Sequence, residues 1–155
     1  MPARDSIHNL VKQAIIKDGW EITDDPYVIS YGERFLFIDL AATGHEFNNG
    51  NLIAAKQGNF QLALEIKEFR GNSPIVDLEQ AIGQYILYQL LLKEVDPVRE
   101  IYLAISSFTY NNIFSESIGE LVINNLPMKL LVVDLEKVEV LEWIPQRPIE
   151  KSSNK

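Results

Sequence analysis

The sequence predicts one α/β domain with a mixed central sheet flanked by helices. Three observations carry that prediction: an amphipathic leading helix, a cleanly alternating strand near the middle of the chain, and a long helix directly behind it. The domain spans residues 1–144, and 145–155 are expected to form a flexible tail because they hold almost no apolar side chains. A chain of 155 residues at 46% apolar content is long enough to bury most of its surface around a single core.

Taken in order, Ile7, Leu10, Val11, Ala14 and Ile15 fall at i, i+3, i+4, i+7 and i+8. That is one buried helical stripe over residues 3–18, with Gly19 at the C-cap position. Asp5, His8 and Lys12 share the opposite face. Strands are expected at Tyr27 to Tyr31 and Phe35 to Ala42, joined through Gly32-Glu33 as an antiparallel hairpin. Residues 43–59, rich in Gly and Asn, read as a long loop or an extra hairpin. From Phe60 to Phe69 the pattern alternates: Phe60, Leu62, Leu64 and Ile66 take one face, and Gln61, Ala63, Glu65 and Lys67 the other. Ser73 caps a helix that starts at Pro74 and runs to about Lys93, with Asp77, Gln80 and Gln84 as its polar stripe. A strand at Ile101 to Ser106, a short helix near Ser117 to Asn124, and strands at Lys129 to Asp134 and Val138 to Trp143 complete the order.

Composition narrows the function classes. With no cysteine the chain forms no disulfides, thiolate metal sites or cysteine nucleophiles, and two histidines are too few for a His-rich metal site. No apolar run approaches the ~20 residues needed to span a bilayer, and the start Met-Pro-Ala-Arg-Asp lacks the apolar core of a signal peptide, so a cytoplasmic protein without membrane contact is expected. Neither a G-x-G-x-x-G run nor a phosphate-loop lysine is present, which argues against a nucleotide cofactor. The net charge of −8 opposes unaided approach to a phosphate backbone, so DNA contact is expected within a homo-oligomer or with a partner.

The residues that point to chemistry are Asp39, Glu65 and Lys67. Glu65 and Lys67 are two apart on a strand and project to one face; a neighbouring strand bearing Asp39 would bring its carboxylate within reach, at a strand spacing of roughly 5 Å. Two adjacent carboxylates resist joint ionisation unless a cation lies between them, which favours a hard ion such as Mg²⁺, or Mn²⁺, with Asp39 and Glu65 as ligands. An isolated Glu-x-Lys more often marks a solvated strand face. Here the alternating strand, the small Ala63 and Asp39, which interrupts the apolar run from Phe35 to Ala42, weigh towards a site. His45 beside Glu46 has no second histidine at helical spacing and reads as a solvated loop. Tyr27, Tyr31, Tyr85, Tyr88 and Tyr102 read as core residues with hydroxyls at the rim.

The run Asp39, Glu65-Ile66-Lys67, then Gln80 and Gln84 resembles the PD-(D/E)XK nucleases, whose core is restriction-endonuclease-like. Over nearly its full length the chain more closely resembles the XisH family of cyanobacterial fdxN-element excision controlling factors. The stretches that carry it are Met1 to Trp20, Tyr27 to Ala42, Leu64 to Tyr88 and Pro97 to Ile105, including Asp77-Leu78-Glu79-Gln80-Ala81-Ile82-Gly83-Gln84-Tyr85. The resemblance implies an endonuclease-like fold, a role in DNA excision or rearrangement, and an XisI-type partner protein. It also implies catalytic roles for Asp39, Glu65, Lys67, Gln84 and His8, the last standing where the archaeal Holliday-junction resolvases carry a glutamate. Ile38 replaces the proline of the wider motif. A non-catalytic accessory protein acting through the XisI-type partner is the alternative.

Overall fold

The computed structural model describes residues 3–44 and 60–145, with side chains of the first helix from Ile7 onward. His45, Glu46, most of the 43–59 segment, the tail beyond Pro145 and the Asp5 side chain therefore lie outside the described residues.

The chain opens with α1 (Ala3–Lys17), which ends at Gly19. The positive φ of Gly19, 101°, is open to glycine at little cost and lets the Trp20 N–H reach back to the Ile15 carbonyl at 3.2 Å. Four strands follow: β1 (Glu21–Asp24), β2 (Tyr27–Tyr31), β3 (Arg34–Ile38) and β4 (Leu40–Gly44). Then come β5 (Phe60–Ile66), α2 (Pro74–Val95), β6 (Arg99–Ser106), α3 (Ser107–Asn112), a 3-10 turn (Ile113–Ser115), α4 (Ser117–Asn125), β7 (Leu130–Asp134) and β8 (Glu139–Ile144).

Six strands form a mixed sheet in the order β1-β4-β5-β6-β7-β8. Its central pairs, β5 with β6 and β6 with β7, are parallel, and the outer pairs are antiparallel. Parallel neighbours require crossovers; α2 makes the first, and α3 with α4 makes the second. Ala63, Ile101, Leu103, Ile105, Leu130 and Val132 pack with α2 and with Phe114 on one face of the sheet. Leu40, Ala42, Leu62, Leu64, Ala104 and Leu131 pack with Ile7, Val11, Ala14 and Ile15 of α1 on the other. Two cores, one on each face, thus clamp the sheet between helices, as expected for this class.

The expected strand from Phe35 to Ala42 is broken at Asp39. Its first half pairs with β2 through the Gly32 turn, where φ is +60°, and forms a separate two-stranded ribbon. Its second half, β4, crosses into the central sheet. The ribbon turns Ile29 and Ile38 onto α2 and leaves Val28, Phe35 and Phe37 outward, each about half exposed or more. Two further elements leave no trace in the sequence pattern. β1 is a four-residue edge strand, and α3 spans six residues; both are too short to show a period.

A candidate carboxylate site at the carboxyl ends of the parallel strands

The site begins with the alternation of β5. Leu62, Leu64 and Ile66 face α1, so Ala63 and Glu65 face α2. In β4, Leu40 and Ala42 face α1, which turns Asp39 to the α2 side. The register pairs Leu40 with Leu64 and Ala41 with Ala63, so one more step along the ladder sets Asp39 opposite Glu65. Asp39 is 7% exposed and Glu65 6%. The Ile66 N–H donates to Asp39 Oδ2 at 2.8 Å, which fixes this carboxylate against the end of β5. Placing a charged carboxylate so deep costs several kcal/mol unless charges or hydrogen bonds compensate, so the arrangement is not one that packing alone would produce.

Lys67 lies one residue beyond β5 and is partly buried. Its N–H still donates to the Ala104 carbonyl at 3.0 Å. The backbone therefore continues along β6, and the alternation carries Lys67 to the same face as Glu65. The following turn is tied to α2: the Gly71 N–H donates to Asp77 Oδ2 at 2.9 Å, and Ser73 caps the helix through the Val76 N–H.

The helix closes the site from above. Its buried line is Leu78, Ala81, Tyr85, Tyr88, Leu91 and Leu92, with Ile82 and Ile86 at the flank. Gln80 is exposed. Gln84 is partly buried, and its Oε1 is enclosed with no hydrogen-bond donor among the described residues. Tyr88, one turn on, lies near both acids. Burial pushes its hydroxyl up in pKa, and the negative charges of Glu65 and Asp39 push it further. Sequence pattern assigns Tyr88 to the core with its hydroxyl at the rim; the signal for a place at the site is its i+4 spacing from Gln84 on one helical face.

His8 is placed differently. It rides on α1, the helix covering the opposite face, and its Nε2 lies 2.8 Å from Asp25 Oδ1. Lys12 Nζ donates to the other Asp25 oxygen at 2.6 Å. Burial works to raise the Asp25 carboxyl pKa, but the hydrogen bonds from Lys12 and His8 outweigh it and hold the group below the usual carboxylate range. The Asp25 link has no signature in the sequence, because residue 25 follows a strand that shows no period.

Among the described residues no three His, Cys, Asp or Glu side chains group as a metal site. The donor set of Asp39 and Glu65 nevertheless suits Mg²⁺, which keeps several waters and takes one or two carboxylates together with substrate oxygens.

Fold and site together define a mixed α/β protein with a buried carboxylate pair where the parallel strands end. The chain belongs to the XisH family: the XisH protein family model matches residues 1–141. It is similar to an fdxN element excision controlling factor from Anabaena variabilis at 36% identity, covering 90% of this chain and 98% of that one with a TM-score of 0.74. It is likewise similar to an XisH family protein from Nostoc punctiforme at 32% identity, covering 88% and 96%, also with a TM-score of 0.74. Among curated proteins there is no match.

Proposed function

We propose that this chain is the nuclease-fold component of a site-specific DNA excision system, hydrolysing phosphodiester bonds with Asp39 and Glu65 holding Mg²⁺ or Mn²⁺. The observation that carries the reading is the Asp39–Glu65 juxtaposition, two carboxylates under 10% exposed on one sheet face beside Lys67. It lies at the carboxyl ends of parallel strands, where open α/β sheets bind ligands. When bound, the divalent ion supplies electrostatic stabilisation of the phosphate and a more acidic water. Lys67 sets an ammonium where negative charge grows on the phosphate and helps orient the attacking water. Asp39 is held by the Ile66 N–H, and Glu65 is buried on the same sheet face. Tyr88 is buried near both acids, and Gln84 one turn before it keeps an acceptor free on the same helical face.

Membership of the XisH family and the likeness to the Anabaena fdxN element excision controlling factor support the excision setting. An XisI-type protein is the partner with which the chain would act. The test is cleavage of DNA in Mg²⁺ or Mn²⁺ by the purified chain with and without that partner. Wild type should cut, and Glu65→Gln and Lys67→Ala should each lose activity by more than about 100-fold, the scale of removing an electrostatic contact to the reacting group.

A second reading is an accessory protein that binds its partner and cuts nothing. The observation favouring it is the ribbon face of Val28, Phe35 and Phe37, exposed at 48%, 67% and 55% on a chain of net charge −8. Complexes that assemble normally yet leave DNA intact in both metals would establish it.

A further inference from the structure

We propose that Asp25 is a positioning residue that holds His8 in its Nε2–H tautomer and so presents Nδ1 as a hydrogen-bond acceptor. An ionised carboxylate can only accept hydrogen bonds. Its two oxygens take His8 Nε2 at 2.8 Å and Lys12 Nζ at 2.6 Å. Lys12 has donors alone, so its hydrogen bond occupies the second oxygen and leaves the first for the ring. The depressed Asp25 pKa agrees with a carboxylate that stays ionised near neutrality. In the neutral ring the His8–Asp25 contact is then a donation from Nε2–H, which leaves the lone pair on Nδ1.

The spacing supports a built arrangement. His8 and Lys12 stand one turn apart on α1 and converge on a single carboxylate. Asp25 directly follows Asp24, whose partner in β4 is Ala41, two residues from Asp39. The His8 group and the carboxylate pair thus belong to the same end of the sheet. The His8 side chain is 17% exposed, so the ring is enclosed but still reachable.

A fixed acceptor has a chemical consequence. Phosphate oxygens are themselves acceptors, so a neutral His8 in this tautomer takes a water or a hydroxyl rather than the phosphate backbone. Service of that water in hydrolysis rests on the reading given under Proposed function; the tautomer does not.

The experiment is histidine-ring ¹H–¹⁵N spectroscopy on the full ¹⁵N-labelled chain, at a pH about 2 units above the ordinary histidine value near 6.5. His45→Gln removes the other histidine signal. His8 is expected to show a slowly exchanging Nε2–H and an unprotonated Nδ1. The slow exchange should be lost in Asp25→Ala and retained in Asp25→Glu. A proton on Nδ1 in the wild type, or an equally protected Nε2–H in Asp25→Ala, overturns the proposal. Should Asp25→Ala fail to fold, the wild-type spectrum still decides. In cleavage assays Asp25→Ala should lower kcat about 10-fold or more with KM unchanged, the scale of weakened proton handling. A wild type that cuts no DNA would remove the nuclease reading while leaving the ring-proton result to decide the tautomer.

Discussion

Asp39 and Glu65 face each other inside a sheet face, and a divalent cation should relieve the repulsion between them. Titrating Mg²⁺ or Mn²⁺ into the wild type should raise its melting temperature by mass action, with about 2.7 kcal/mol of stabilisation at 100 times the dissociation constant. Asp39→Asn keeps an acceptor for the Ile66 N–H and should abolish the metal-dependent rise; an undiminished rise would place the ion elsewhere. Lys67→Ala separates catalysis from structure. A catalytic Lys67 leaves melting within a few degrees and removes cleavage, whereas a structural one leaves a buried pair uncompensated at a cost of roughly 3–5 kcal/mol. Tyr85 presents the opposite case, a buried hydroxyl that is wholly structural. It donates to the Ile101 carbonyl at 2.9 Å and accepts from the Lys129 N–H at 3.0 Å, and burial pushes its pKa up to about 12. Tyr85→Phe should cost about 1–3 kcal/mol in urea denaturation, the penalty of leaving a buried partner unsatisfied.

The elements bring these residues together through a few close approaches. A Cβ on Gly119 would collide with the Ile113 carbonyl oxygen and Phe114 Cα, so α4 packs on the 3-10 turn only because that side chain is missing. Gly119→Ala should destabilise by roughly 1–3 kcal/mol, the usual range for overpacking, measurable as a lower urea midpoint. α1 and β5 are readable because each repeats its period several times, at 3.6 residues and at two, whereas α2, apolar on more than one face, is marked by its Ser73 cap and Pro74 start. Asp39 is readable as a polar interruption of an apolar run, but not as the place where one strand ends and another begins. That break depends on which neighbours each half finds.

At the scale of the whole molecule, two aspartates with depressed pKa values tie elements together. Asp25 links the turn after β1 to α1, and Asp96 links the end of α2 to Tyr27 at 2.8 Å and Arg99 at 2.7 Å. For Asp96, as for Asp25, burial works to raise the carboxyl, but hydrogen bonds, here from Arg99 and Tyr27, hold it below the ordinary aspartate value. A depressed carboxyl contributes stability that is present above its unfolded value and lost as pH falls through the folded one. Melting should therefore drop as pH is lowered from about 5 to 3, around the ordinary Asp value, and Asp96→Asn should show a shallower drop over that window; an unchanged slope would exclude Asp96 from the acid transition. At neutral pH the net charge of −8 gives the isolated chain little field with which to hold a phosphate backbone, so under the proposed excision reading salt-sensitive DNA binding is expected only when a partner is added, checked by binding assays at two salt concentrations.

Periodicity, caps and composition are local or additive properties, so they alone are enough to read the α/β class, the long helices and the alternating strand, while the family was legible through the resemblance of whole stretches of sequence. The sequence also singled out Asp39, Glu65 and Lys67, because a charged residue breaking an apolar pattern is visible wherever the chain later goes. Three-dimensional packing alone sets β3 into a ribbon while β4 enters the sheet, brings Tyr88 near both acids, and pairs His8 with Asp25. Each of these depends on contacts between residues far apart in the chain, where strand register and helix placement, rather than local propensity, set which side chains meet.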